Sequence, residues 1–98
     1  GFIGVQIQPV TAEIADAIGL KAASGALVAD ASPDGPAAKA GIRRGDTITA
    51  LDGKPVKDAR ELSRRIAEVK PGDTIKATVF REGRERAVSI EVARQPAA

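Results

Sequence analysis

Short runs of alternating apolar and polar residues, separated by glycine and proline turns, constrain the fold of this chain more than any other feature. Residues 74–80 and 86–92 alternate in this way and are joined by residues 81–85, which predicts a β-hairpin with a five-residue loop. Successive side chains of a strand point to opposite faces, so each run has one face for a core. Further strands are predicted at residues 3–8, where Pro9 ends the run, at residues 25–30 and at residues 47–51.

Two short helices are predicted between these strands. Thr11 is placed to cap a helix that extends to Ile18 and ends at Gly19. Residues 36–40 begin with a proline and are followed by Gly41, which is the usual arrangement at the two ends of a helix.

The longest helix begins at Asp58, whose carboxylate caps it while Glu61 reaches back. The dipeptide Pro71-Gly72 stops it. Its apolar residues recur at helical spacing and are Leu62, Ile66 and Val69. Together the elements predict a mainly β, α+β fold: a small, partly open antiparallel barrel of five or six strands with two or three helices.

The composition indicates one globular domain of 98 residues. Phe2 and Phe80 are its only aromatic residues, so the core must be built from valine, isoleucine and leucine. The net charge is +2, with both signs interspersed, which argues against a nucleic-acid or anionic-membrane surface. The sequence shows no transmembrane-length run and no signal peptide, and a start at Gly1 within a strand-like pattern suggests a domain cut from a longer protein.

The chain has no cysteine and no histidine, which excludes most catalytic and metal-binding chemistry. A disulfide, a thiolate metal site and a Ser-His-Asp mechanism are all ruled out, and we expect neither a metal nor a cofactor. The serines that lack an imidazole to activate them are Ser24, Ser32, Ser63 and Ser89. A serine–lysine pair stays formally open, but no spacing suggests one, and we expect this chain not to be an enzyme.

The first strand carries a pattern suited to binding a peptide. Ile3, Val5 and Ile7 share one face, and Gly4 lies where a missing Cβ lets another backbone approach closely. Such a strand can offer backbone N–H groups to a carboxylate while its apolar face lines a pocket. Taken alone, the segment is better explained as an ordinary N-terminal core strand with an incidental glycine, because short motifs match by chance.

The sequence resembles a PDZ domain at residues 41–48, Gly-Ile-Arg-Arg-Gly-Asp-Thr-Ile, and at residues 51–56, Leu-Asp-Gly-Lys-Pro-Val. The family pattern is Ala-Gly-Ile/Leu, two variable residues, Gly-Asp, one variable residue, Ile, and then an Asn/Asp-Gly turn. The resemblance extends from Phe2 to about Val92. We therefore expect a PDZ domain at residues 1–94 and a linker stub at residues 95–98.

The order of the elements is similar to that of circularly permuted bacterial PDZ domains, because the carboxylate-binding loop comes first and a long strand comes last. The segment Lys70-Pro71-Gly72-Asp73 and the helix after the first strand resemble the first PDZ domain of HtrA (Deg-type, DegP-like) periplasmic serine proteases. That family often carries a basic residue just upstream of the loop, and since this sequence starts at Gly1, that contribution is absent or truncated here.

The resemblance implies a site in which a peptide C-terminus adds as a strand beside the first strand and against the long helix. Residues 3–5 match the Leu-Gly-Phe part of the family's Gly-Leu-Gly-Phe motif. The backbone amides that would face the carboxylate are those of Ile3, Gly4 and Val5. The groove and pocket would consist of Ile3, Val5, Ile7, Ala59, Ser63 and Ile66, with Leu62 and Arg64 as secondary candidates and Val69 turned to the core.

The resemblance also implies the partners: C-terminal or extended peptides of unfolded or misfolded proteins, the protease domain and the sister PDZ domain of a periplasmic, homo-oligomeric parent, and no direct insertion into a membrane. Two other parents stay open, a secretion or scaffold protein and a membrane-embedded or C-terminal-processing protease. Three basic residues of the long helix and one before it would select acidic ligand residues or form a solvated face, and we favour the solvated face because exposed charge pairs contribute little. They are Arg60, Arg64, Arg65 and, before the helix, Lys57.

Overall fold

The chain folds into one antiparallel sheet flanked by helices. The structure is a computed structural model that describes residues 2–21 and 23–94, and these residues form six strands and three helices. In chain order the elements are β1 (Val5–Pro9), α1 (Ala12–Ile18), β2 (Ala26–Ala31), α2 (Pro36–Ala40), β3 (Thr47–Leu51), β4 (Lys54–Pro55), α3 (Ala59–Ala67), β5 (Thr74–Arg81) and β6 (Arg84–Glu91).

The strands are hydrogen-bonded in the order β1-β2-β3-β5-β6, and β4 pairs with β3. The two ends of this path meet at an isolated antiparallel bridge, where the Phe2 amide donates to Ala93 at 2.9 Å and the Ala93 amide donates to Phe2 at 3.0 Å. The sheet therefore curls into a barrel that is not closed along its length, which confirms the predicted fold class.

The core is aliphatic. Its largest fully buried apolar side chains include Ile48, Leu62 and Ile90, and valines from four parts of the chain complete it. Both phenylalanines lie at its margin and are half-buried. The absence of aromatic residues from the core agrees with the composition, because only valine, isoleucine, leucine and alanine are abundant enough to fill it.

Local capping sets the helix ends. The Thr11 hydroxyl accepts a hydrogen bond from the Ile14 amide at 3.2 Å, as predicted. At the start of α3, the Asp58 carboxylate accepts from the Glu61 amide at 2.8 Å. The Glu61 carboxylate reaches back to the amide of Lys57 at 2.9 Å, one residue before the cap.

Several predicted boundaries were wrong. The first strand begins at Val5 rather than at residue 3, and Pro9 is its last residue rather than the residue after it. The hairpin loop is two residues rather than five, because Glu82 adopts φ 52° and Gly83 φ 78°, which closes a tight turn at once. Helix α3 ends at Ala67, well before residue 71, and Val69 packs on the core from outside the helix.

A buried ion pair joins the glycine-rich loop at residues 41–46 to strand β5. Asp46 is 1% exposed and accepts hydrogen bonds from the Arg43 amide at 2.9 Å and from Arg81 Nε at 2.6 Å. Arg81 Nη2 also donates to the second Asp46 oxygen and, at 2.7 Å, to the carbonyl of Gly41. No pattern in the sequence indicates this pair. It explains why an aspartate follows the glycine in this loop.

Candidate functional site

A cavity of about 210 Å³ lies between the start of β1 and the C-terminal half of α3. Its walls are mainly apolar and come from two stretches of chain: Phe2, Ile3, Gly4, Val5 and Ile7 on one side, and Ser63, Ile66 and Ala67 on the other. A larger cavity of about 540 Å³ lies between α2 and β6, and Lys39, Ser89 and Glu91 give it a mixed polar and apolar lining. The smaller cavity is the better candidate site because it borders an unpaired strand edge.

The loop before β1 is held by its carbonyl groups. The Ile3 carbonyl accepts from the Ala37 amide and the Gly4 carbonyl accepts from the Ser32 amide, both at 2.8 Å. Gly4 has φ 76°, and a Cβ added there would lie 3.2 Å from the Gly35 Cα atom. The close backbone neighbour expected at Gly4 is therefore another loop of the domain. Glycine is required here because of the positive φ and because a Cβ would crowd that loop.

The amides of the same loop are unpaired. Among residues 2–21 and 23–94, neither the Ile3 nor the Gly4 amide has a hydrogen-bond acceptor. Their carbonyls already face the protein, so these N–H groups remain free at the mouth of the apolar cavity. Consecutive free amides form a concave site for an anionic group, and charge-assisted hydrogen bonds to a carboxylate are stronger than neutral ones.

Strand β1 has one paired and one unpaired edge. It pairs with β2, and no other strand of the described residues pairs with it. The Gly4 carbonyl already bonds to the chain just after β2, and hydrogen-bonding direction alternates along a strand. The backbone groups of Gln6 and Gln8 therefore face β2, and those of Val5 and Ile7 face the unpaired edge.

Helix α3 supplies the opposite wall. Ile66 is 7% exposed and, with Ser63 and Ala67, borders the cavity. Ala59, which was predicted to share this face, does not line the cavity, because it lies further toward the N-terminus of the helix and packs on the core. Leu62, a secondary groove candidate, is fully buried in the core.

The basic residues of α3 point to different environments. Arg64 is two-thirds exposed, and its guanidinium lies 3.8 Å from the Glu61 carboxylate. Arg65 instead donates to the carbonyls of Leu51 at 2.9 Å and Pro55 at 3.1 Å. Grouping Arg65 with the solvated basic face was therefore wrong, because it ties the helix to the turn between β3 and β4.

Two lining residues were missed by the sequence analysis. Ala67 follows Ser63 by four positions, so helical spacing from Ser63 was a signal that could have found it. Phe2 precedes the motif, and its ring lies 3.5 Å from the position that a Gly4 Cβ would occupy. No sequence spacing indicates that contact, because the bridge to Ala93 holds Phe2 in place.

Other kinds of site find no support in the part of the chain that the structure describes. No group of three or more acidic side chains is placed to hold a metal ion within residues 2–21 and 23–94. No helix in these ranges is long and apolar enough to cross a membrane. The predicted linker stub at residues 95–98 lies outside the described residues.

Comparison with known proteins agrees with this geometry. The family model for the PDZ domain matches residues 1–92. The chain is 49% identical over 96 residues to a protein of Rhizobium meliloti, and 43% identical over 96 residues to one of Halomonas elongata. Both relatives are named probable periplasmic serine endoprotease DegP-like. The match covers 98% of this chain in both cases, but only 19% and 20% of the relatives, so the chain spans about a fifth of their length.

Solved structures show the same fold. The HtrA-type protease AlgW with decapeptide superposes with a TM-score of 0.87 and 34% identity, over 100% of this chain and 30% of that one. The HtrA3 PDZ domain bound to a phage-derived ligand superposes with a TM-score of 0.77 and 28% identity, over 92% of this chain and 82% of that one. With its glycine-rich loops, its half-open sheet and the groove between β1 and α3, the chain belongs to the PDZ domain family.

Proposed function

We propose that this domain captures free C-termini, or extended apolar segments, of unfolded and misfolded proteins by adding them as a strand to β1. One observation carries the proposal. The unpaired amides of Ile3 and Gly4 lie just before the unpaired edge of β1 and beside an apolar cavity. The free amides can bind the ligand's carboxylate, the unpaired edge of β1 can pair with its backbone, and the cavity can hold its last side chain. The solved relatives with a decapeptide and with a phage-derived ligand support it.

The expected affinity is micromolar. Burial of one apolar side chain contributes about 1.5–3 kcal/mol, and each backbone hydrogen bond adds about 0.5–1.5 kcal/mol. Ordering a flexible peptide offsets part of this gain, and a micromolar dissociation constant corresponds to roughly −8 kcal/mol. The cavity volume of about 210 Å³ favours a small or medium apolar last residue over a bulky aromatic one.

Recognition of the ligand's C-terminal carboxylate is tested with one peptide that is made both as free acid and as C-terminal amide. Isothermal titration calorimetry suits this chain, which contains no tryptophan or tyrosine to report by fluorescence. The free acid is expected to bind at least about tenfold more tightly, because the amide loses charge-assisted bonds to the loop. Equal affinities would exclude a carboxylate-binding loop and leave only capture of internal extended segments.

The pocket is tested with Ile66→Glu, which places a charge in the cavity wall at a high desolvation cost. Arg64→Ala is the matched control on the same helix, because Arg64 is largely exposed. Peptide binding should disappear in the first variant and persist in the second, with both folded by circular dichroism. A folded Ile66→Glu domain that binds normally would place the groove elsewhere.

We further propose that the domain is the peptide-binding regulatory module of a periplasmic DegP-like serine endoprotease involved in protein quality control. The curated relatives carry that name, and this chain matches about a fifth of each. In such a parent the module acts beside a protease domain and a sister PDZ domain within a homo-oligomer. The isolated domain should leave casein intact, since it has no histidine to activate a serine. Cleavage that is lost when one of its own serines is mutated would contradict this.

A further inference from the structure

Strand β1 ends its unpaired edge with a proline. Pro9 is the last residue of β1, is exposed, and pairs with Ala26 of β2 on its other side. Proline has no backbone N–H, so within a sheet it is tolerated only where the missing donor faces away from the neighbouring strand. The nitrogen of Pro9 must therefore lie on the edge that β2 does not use.

The alternating direction of the backbone hydrogen-bonding groups along β1 independently places the Pro9 nitrogen on the unpaired edge. The Gly4 carbonyl bonds to the chain just after β2, which sets Gln6 and Gln8 to face β2. The single irregularity in the pairing lies between Gln6 and Ile7, where β2 contributes an additional residue, so the alternation along β1 itself is unbroken. Pro9 follows Val5 and Ile7 in presenting its backbone to the unpaired edge, where it offers a carbonyl and no donor.

The chain leaves the edge directly after Pro9. Val10 is 8% exposed and turns into the core, and Thr11 already caps helix α1. No further residue of β1 is available to extend a ladder. The unpaired edge of β1 therefore has two complete hydrogen-bonding positions, at Val5 and Ile7, and one incomplete position at Pro9.

We propose that strand addition in this domain stops at Pro9, so that only the last three residues of a ligand are fully hydrogen-bonded. This inference rests on the proposed function and specifies its substrate. With the carboxylate at the loop, an antiparallel ligand pairs its last residue with Val5 and its third residue from the end with Ile7. The fifth residue from the end would meet Pro9, and its carbonyl would find no donor. The ligand is then a short protruding C-terminal tail whose upstream sequence matters little.

The test compares two acetylated free-acid peptides that share their last three residues. The first has three residues and the second has six, with alanine at the three added positions, so that only backbone pairing differs. For the unmodified domain, the six-residue peptide should bind no more than about fivefold more tightly than the three-residue one, since it gains only the single bond to the Pro9 carbonyl. In Pro9→Ala the restored donor should raise this ratio by about fivefold, the effect of one hydrogen bond.

Gln8→Ala is the matched control, because its side chain is exposed and its backbone faces β2. It should leave the ratio at the value of the unmodified domain. A ratio that is the same in the unmodified domain and in Pro9→Ala would overturn the inference, as would an equal rise in Gln8→Ala. If Pro9→Ala does not fold, six-residue peptides in which a single backbone amide is replaced by an ester decide the question on the unmodified domain.

An ester in place of the amide after the third residue from the end weakens the carbonyl that accepts from Ile7, and should cost at least about threefold in affinity. The same change after the fifth residue from the end weakens a carbonyl that has no donor at Pro9, and should cost less than about twofold. Equal losses at the two positions would overturn the inference. Its failure is distinguishable from failure of the proposed function. If no free-acid peptide binds, strand capture itself is wrong; if binding requires the carboxylate but continues to strengthen with length, only the limit at Pro9 is wrong.

Discussion

Replacing Arg81 by methionine is expected to lower the free energy of unfolding by about 3 kcal/mol, because it leaves the carboxylate of Asp46 buried without its partner. The guanidinium donates to both Asp46 oxygens and to the Gly41 carbonyl. Among the residues that the structure describes, only the Arg43 amide still donates to the carboxylate after the change. Methionine keeps most of the aliphatic length of arginine, so the loss is chiefly electrostatic.

The magnitude follows from the burial of the two partners. The Asp46 side chain is 2% exposed, whereas that of Arg81 is 16% exposed. Breaking a buried pair costs about 3–5 kcal/mol, and the lower end applies because water can enter from the Arg81 side. For a domain of this size, about 3 kcal/mol corresponds to a fall in melting temperature of roughly 12–24 °C.

The pH dependence of this stabilisation has a definite sign. The hydrogen bond that Arg81 donates to Asp46 raises the pKa of the guanidinium above its already strongly basic ordinary value. Stability from a raised pKa is fully present below the pKa of the unfolded state and is lost only as pH rises through the folded value. Arg81 therefore stays charged, and its own titration makes no contribution to pH dependence in the neutral and acid range.

The assay is urea unfolding followed by far-ultraviolet circular dichroism for four proteins: unmodified, Arg81→Met, Asp46→Asn and the double variant. Asp46→Asn should cost less than Arg81→Met, since the partly exposed guanidinium can be hydrated when its partner is lost. The double-mutant cycle should give a coupling energy of at least about 1 kcal/mol. A cost below about 1 kcal/mol for Arg81→Met, or additive effects of the two changes, would refute the reasoning.

Three further stability predictions concern the core and its margins. Ile48→Ala removes a fully buried side chain and should cost about 2–5 kcal/mol by urea unfolding; a cost under about 1 kcal/mol would contradict its central place. Thr47→Val should raise the free energy of unfolding by about 1 kcal/mol, because the buried Thr47 hydroxyl has no partner within residues 2–21 and 23–94. Thr49→Val, whose hydroxyl donates to a carbonyl of β5 at 3.3 Å, should instead lower it; the same sign for both would be inconsistent with this explanation. Gly25→Ala places a Cβ 2.6 Å from a backbone carbonyl oxygen at a residue with φ 85°. Gly53 has a similar φ of 80° but open space around it, so Gly53→Ala should cost only about 1–2 kcal/mol. The melting temperature of Gly25→Ala should therefore lie well below that of Gly53→Ala.

The predictions that succeeded rest on interactions between near neighbours in the sequence. The helix from Thr11 to Ile18, the helix at residues 36–40 and the cap at Asp58 were correct, because a cap involves residues about three positions apart. The strand at residues 47–51 was correct because its apolar run is bounded by turns on both sides. The family itself was readable from glycine spacing, and the PDZ match confirms it.

The start of β1 and the pair of Asp46 and Arg81, which were not predicted correctly, depend on contacts between distant parts of the chain. Ile3 and Gly4 have a strand-like sequence, but their carbonyls bond to Ala37 and Ser32, which draws them out of β1 and frees their amides. Arg81 lies 35 positions from Asp46, so no local pattern links the two residues.

The groove shows the same division between sequence and tertiary structure. The sequence determined the fold family, the helix caps, the aliphatic core and the strand that carries the binding pattern, because periodicity and turn residues act over a few positions. The packing of α3 against β1 decided which residues meet. It brought Phe2 and Ala67 to the cavity and left Ala59 on the core, since the rotation of a helix about its axis is set by everything it packs against. The role of Pro9 depends on both the sequence and the tertiary structure. The sequence determines that the N–H is missing, but only the pairing of β1 with β2 determines that the missing donor lies on the unpaired edge.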